Sequence, residues 1–114
     1  MKESIGIELT RILSKHVDLF LSEAETEEYP YAVYTSSVTP VQTKDGIHHY
    51  ESDVTVTVYA KDLDVISPIV DSMRSSIKEH MSGPQYYHYP QMERRDCTDE
   101  VWSHELSYTI KQYQ

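Results

Sequence analysis

The stretch from His48 to Ala60, HHYESDVTVTVYA, constrains this chain more than any other. Val54, Val56, Val58 and Ala60 fall on one parity, while Asp53, Thr55, Thr57 and Tyr59 fall on the other. A period of two is the signature of a half-buried β-strand, one face in a core and one in water. Before Val54 the valine parity passes to His48, Tyr50 and Ser52, so the strand is expected to run on past the core it serves.

Such a strand needs a partner, and the residues before it supply one. Tyr29-Pro30-Tyr31-Ala32-Val33-Tyr34-Thr35 starts a strand in which Pro30 sits at the beginning, where no ladder donor is needed. The signal continues to Thr43 but is interrupted by Pro40, which places that half at an edge or a bulge. Lys44-Asp45-Gly46 is turn chemistry, because Asp-Gly accepts the positive φ values of tight hairpins. With Asp45-Gly46 as a two-residue loop, Lys44 faces Ile47, Val33 faces Val58, Thr35 faces Val56 and Tyr31 faces Ala60. Thr39 then lies beside Ser52, and Val41 beside Tyr50. Strands of about 14 residues rise roughly 45 Å, longer than a small core requires. The expected result is a long hairpin over about residues 29–60 whose base is buried and whose tip, Gln42 to His49, projects.

The flanking segments read as helices. Ile5, Leu9, Ile12, Leu13, Val17, Phe20 and Leu21 recur at helical spacing, with Glu8, Arg11, Lys15, Asp18 and Ser22 opposite. This predicts a first amphipathic helix over 5–21, closed by the acidic run Glu23 to Glu28. After Ala60, Asp62 or Asp64 can cap a second helix carrying Ile66, Ile69, Val70, Met73 and Ile77 as its stripe. Pro68 is early enough to be tolerated, Lys78 and His80 suit the carboxyl end, and Ser82-Gly83-Pro84 stops it. Tyr86, Tyr87, Tyr89 and Met92 suggest a short strand broken by Pro90. Trp102, His104, Leu106, Tyr108 and Ile110 alternate with polar residues in a last strand. The expected fold is a single α+β domain over 1–114 in the order α-β-β-α-β-β, with a mostly antiparallel sheet. Two single-stripe helices would cover one face of that sheet and leave the other open.

Composition narrows the function classes. Ten Lys plus Arg against nineteen Asp plus Glu leave a formal charge of -9, which repels phosphate backbones, so specific nucleic-acid binding is not expected. No apolar run approaches the ~20 residues of a membrane span, and Met1 to Leu9 already reads as helix rather than as a leader. A soluble chain in the cytoplasm is expected, and the single Cys97 fits a reducing compartment. Ten tyrosines against one Phe and one Trp suit half-buried sheet faces and protein interfaces.

No catalytic or metal constellation stands out. His49, Glu51 and Asp53 share a strand face, but neighbours about 6.5 Å apart on a flat strand do not converge on one ion. Cys97 with His104 or His88 lacks a nucleophile turn, and Asp96 and Asp99 beside it would raise a thiol pKa. The three glycines, Gly6, Gly46 and Gly83, are too far apart for a phosphate loop. No enzyme activity and no cofactor are expected. The residues of the hairpin tip and of the tyrosine-rich segment, Val41, Gln42, His48, His49, Tyr50, Glu51, Tyr86 and Tyr87, are the candidate protein interface.

The Tyr29–Tyr34 strand, the hairpin, Asp53-Val54-Thr55-Val56-Thr57-Val58-Tyr59-Ala60-Lys61 leading straight into a helix at Asp62 to Asp64, and the closing strand with Trp102, Leu106, Tyr108 and Ile110 form a pattern. It resembles the small tail-completion or tail-terminator proteins of long-tailed bacteriophages and prophages, across nearly the whole chain. The resemblance implies an α+β subunit that assembles as a homo-oligomer, typically a hexameric ring, on the last ring of a tail tube. There it would end tube polymerisation and offer a head-tail joining surface to head-completion proteins. It implies assembly in the cytoplasm, then a place in the virion tail, with no catalytic residue to carry over. The tyrosines at 86 to 89 and the Pro40-containing strand depart from the family pattern. A competing reading of the charge alone is an acidic protein-binding module, or a DNA-mimic inhibitor of a nucleic-acid-binding partner.

Overall fold

A computed structural model describes residues 4–21 and 28–113. The elements are α1 (Ser4–Leu13), β1 (Asp18–Leu21), β2 (Tyr31–Thr43), β3 (Gly46–Ala60), α2 (Leu63–His80), β4 (Tyr86–Thr98) and β5 (Val101–Tyr113). One five-stranded sheet is ordered β1-β2-β3-β5-β4. β1 is parallel to β2, and every other neighbouring pair is antiparallel.

β3 is the central strand, and its parity organises the core. Val54, Val56, Val58 and Ala60 are buried with Ala32 and Tyr34 of β2 and Leu106, Tyr108 and Ile110 of β5. The helices close this face: α1 contributes Leu9, Ile12 and Leu13, and α2 contributes Ile66, Val70, Met73 and Ile77, with Met81 just beyond it. Removing a side chain of this size from water is worth about 1.5–3 kcal/mol, so the four α2 residues alone account for the helix's attachment. Asp62 occupies the N-cap position but makes no side-chain cap bond, and Pro68 lies inside the helix.

Four expectations are corrected. The first helix ends at Leu13, not Leu21, and Asp18–Leu21 instead pair with Tyr31–Tyr34, so the order is α-β-β-β-α-β-β. Val17, Leu19 and Leu21 satisfy a period of two as well as a helical one, and the unfilled edge of β2 decides between them. The acidic run at 23–27 lies outside the described residues.

The hairpin register is shifted by one: Ala32 faces Val58, Tyr34 faces Val56, Tyr31 faces Tyr59, Val38 faces Ser52 and Pro40 faces Tyr50. A slip of one turns every side chain over, and only this register puts Ala32 and Tyr34, rather than Val33 and Thr35, on the core side. The turn is Lys44-Asp45, with Gly46 at φ 116 paired to Thr43, and a bulge between Val41 and Gln42 takes up the extra residue.

The hairpin is also not a free arm. β5 stays paired with β3 as far as His49, opposite Tyr113, so only the turn from Gln42 to His48 extends past the rest of the sheet. Finally, β4 is a continuous long strand through Pro90, which is absorbed by a bulge between Pro90 and Met92. Asp99 and Glu100 both have positive φ and form a two-residue loop of type I′ between Thr98 and Val101. The long strands stretch the molecule to 52 × 24 × 22 Å with a radius of gyration of 14.9 Å, against about 13 Å for a compact chain of this size.

Candidate interaction surface

The odd-numbered residues of β2, β3 and β5 line the sheet face opposite the helices, and no described element packs over it. Its middle is polar and internally satisfied. Gln91 Nε2 donates to Thr109 Oγ1 at 2.8 Å, and Thr109 in turn donates to Asp53 Oδ1 at 2.9 Å. Thr55 and Ser107 hydroxyls are 3.3 Å apart. Cross-strand pairs of this kind stabilise a sheet by about 0.2–1 kcal/mol each without needing a cover.

Both ends of this face are aromatic. At one end Tyr31 stacks between Tyr29 (5.3 Å) and Tyr59 (5.1 Å), with Phe20 edge-on at 6.4 Å and the Lys61 ammonium over Tyr29. Partial burial, then the neighbouring Tyr29 and Tyr59, push the Tyr31 phenol above its ordinary range. At the other end His48, His49 and Tyr113 gather, with ring centroids 4.9 to 5.9 Å apart. His49 Nε2 lies 3.3 Å from Glu51, Lys111 reaches Glu51 at 3.8 Å, and Lys111 also sits over Tyr89 beside Tyr87.

The eight sequence-predicted residues fall in one band at this second end. Cross-strand rows run Val41–His49–Tyr113, Pro40–Tyr50–Gln112–Tyr86 and Thr39–Glu51–Lys111–Tyr87. Gln42, His48 and Tyr87 are exposed, Val41, Tyr50, Glu51 and Tyr86 are half-buried, and His49 is buried at 8% exposure. They do not share one face. His49, Glu51 and Tyr87 are on the open side, whereas Tyr50 and Tyr86 are on the helix side, where Tyr86 packs against the core. Sequence reasoning missed Lys111, Tyr89 and Tyr113, which the β5 register brings to the band, and missed the Tyr29–Tyr31–Tyr59 stack. The shared odd parity of those three tyrosines was the available signal.

On the helix side, a charged network fastens β4 to α2. Glu93 Oε1 accepts from Arg74 Nη2 at 2.6 Å and from His104 Nε2 at 2.7 Å, while Arg74 also bonds Asp71 at 2.9 Å. Arg95 Nε donates to His104 Nδ1 at 2.9 Å and Arg95 Nη1 reaches Ser67 at 3.2 Å. Since arginine only donates, Nδ1 of His104 must accept, and the ring proton sits on Nε2, aimed at Glu93. The Arg74 hydrogen bond, with help from His104, holds the Glu93 carboxyl below its ordinary value and raises Arg74 in turn. Burial lifts the nearby Tyr108 phenol, and the charge of Glu93 adds to the lift. Among the described residues no group of three or more His, Cys, Asp or Glu is arranged to hold a metal ion. No described helix is long and apolar enough to cross a membrane.

No protein-family model matches the chain, and no curated protein sequence does. Among solved structures, a chain of the virion of a native gene transfer agent particle is similar over 100% of this chain and 95% of its own length, with a TM-score of 0.62 at 8% identity. A crystal structure from Akkermansia muciniphila aligns with 93% of this chain and 46% of its own, at 10% identity and a TM-score of 0.47. The chain therefore shares its fold, end to end, with a component of a virion particle.

Proposed function

We propose that this protein is a structural subunit of a phage-type virion, and that its place is tail completion: a homo-oligomeric ring that caps the tail tube and meets the head-completion proteins. The observation that carries this reading is the end-to-end fold similarity to a chain of a gene transfer agent virion. The strand and helix pattern noted in the sequence supports the tail-terminator position. The shape is compatible, because a sheet with one open face and a band of exposed aromatic and imidazole side chains at one end offers contact surface without a pocket. The role is non-catalytic, needs no cofactor, and involves no specific nucleic acid; a formal charge of -9 lets DNA pass a ring without sticking to it.

The test is to mix the purified chain with polymerising tail-tube protein and measure tube length and tube ends by negative-stain microscopy. Shortened tubes with an added ring at one end are the expected result. Tubes of unchanged length whose ends never acquire the chain would overturn the tail-terminator assignment, and absence of the chain from purified particles would overturn the virion role.

A further inference from the structure

Natural sheets blunt their free edges, most often with charged side chains, proline or bulges. β1 covers β2 only from Tyr31 to Tyr34. From Thr35 to Thr39 the edge of β2 reads Thr-Ser-Ser-Val-Thr, with no charge, and all of it is exposed. Pro40 and the bulge after Val41 then end the stretch. The opposite margin of the sheet is β4, whose outer side has no neighbour. Its second half carries Glu93, Arg94, Arg95 and Asp96, and its first half, Tyr86 to Tyr89, contains no Asp, Glu, Lys or Arg before Pro90 and its bulge close it.

The rows through the sheet relate these two stretches. Ser37 is level with Asp53, Thr109 and Tyr89, and Thr39 with Glu51, Lys111 and Tyr87. The uncharged part of β4 thus lies at the height of the uncovered part of β2, and the charged part of β4 lies at the height that β1 already covers. Alternating antiparallel pairs make β2 and β4 run in opposite directions. A copy moved sideways by one sheet width, with no shift along the strands, would continue the antiparallel sheet. Each uncharged stretch is about the length of an ordinary strand.

We infer that Thr35–Thr39 of one copy pair antiparallel with Tyr86–Tyr89 of a second copy of this chain, making the sheet continuous between subunits. The contact is heterologous, so repeating it either closes a ring with no free edges or propagates. A two-fold pairing of β2 with β2 would stop at two copies and leave β4 bare. The identity of the neighbour rests on the ring-forming reading above; the register rests on the strands.

Cysteine cross-linking of the full chain tests it. In a Cys97→Ser background, Thr39→Cys and Tyr87→Cys are made singly and together; both side chains are exposed, Tyr87 at 54%. Directly opposed strand residues come within disulfide reach. Mild oxidation of the concentrated chain, and of the chain added to tail tubes, is expected to give a dimer from the mixed single variants and a ladder from the double variant. The yield should be at least about tenfold above either single variant alone. Val38→Lys, which puts a charge on the edge, is expected to abolish the ladder while leaving the circular dichroism unchanged. Efficient cross-linking by Thr39→Cys alone would overturn the pairing in favour of a two-fold contact. Rings or capped tubes without the mixed cross-link would overturn the pairing and leave the virion reading standing. The mixed cross-link with tubes never capped would do the reverse, and neither would overturn both.

Discussion

Val56 is fully buried at the centre of the middle strand, between Tyr34 and Leu106. A carboxylate there would have no partner, and such changes belong to the small class costing more than about 4 kcal/mol. Val56→Asp is therefore expected to leave the chain unfolded by circular dichroism at 25 °C; a cooperative melt near the wild-type midpoint would refute the core assignment. Glu93 gives a pH signature. Its carboxyl is held below the ordinary 4.5 by Arg74 and His104, so the folded state binds that proton less readily than the unfolded chain. The stabilisation is complete above pH 4.5 and drains away as the pH falls below it toward the folded value. In urea melts between pH 3 and 6, Glu93→Gln should show a shallower loss of stability on the acid side than the wild type. With a side chain 35% exposed, solvent screening keeps the difference modest; parallel curves for the two proteins would show that the network contributes nothing. Of the individual residues, the buried apolar set of β3, β5 and α2 was legible in the sequence because parity and helical spacing report burial directly. The partners of Glu93 were not, since Arg74, Arg95 and His104 are brought to it only by the packing of α2 on β4.

Among the elements, α2 and β5 lie where their hydrophobic periods put them, for long periodic segments leave no alternative. The short apolar run after Leu13 was ambiguous, and pairing with β2 made it a parallel strand. β4 was obscured by Pro90, a residue that an edge strand tolerates because its missing donor faces no neighbour. The β4–β5 loop offers an element-scale prediction. Glu100 holds φ 66, a left-handed conformation costing a residue with a side chain about 1 kcal/mol that glycine avoids. Glu100→Gly is expected to stabilise the chain by about 1 kcal/mol in denaturant melts. A loss of stability would mean that the glutamate side chain contributes more than its backbone costs. Charge reversal within His48 to Asp53, by His48→Glu or Glu51→Lys, should leave the melt nearly unchanged and weaken assembly on tubes; unaltered capping would remove that band from the contact surface.

At the scale of the molecule, length and charge govern behaviour. The 52 Å long axis comes from four long strands side by side, and small-angle scattering of a dilute sample should report the anisotropy directly. Each copy carries a formal -9, so bringing copies together opposes like charges that salt screens over about 10 Å at 0.1 M. Self-association is therefore expected to strengthen between 20 and 300 mM salt, as measured by light scattering. A decrease over that range would point to contacts dominated by ion pairs instead of neutral strand edges.

The sequence by itself determined the middle strand, the apolar stripes of both helices, the long second hairpin strand and the closing strand, because each is written in a local period that only one conformation satisfies. It also determined the absence of any recognisable catalytic spacing. Tertiary structure decided what no local period encodes: that the run after Leu13 joins the sheet, that the hairpin registers with Ala32 and Tyr34 inward, and that β5 accompanies β3 to its polar end. The last of these places the candidate interface residues in a band across four strands instead of on a free arm. Register and neighbour are properties of backbone pairs far apart in the chain, and a one-residue shift leaves every local signal intact while exchanging the two faces of a strand.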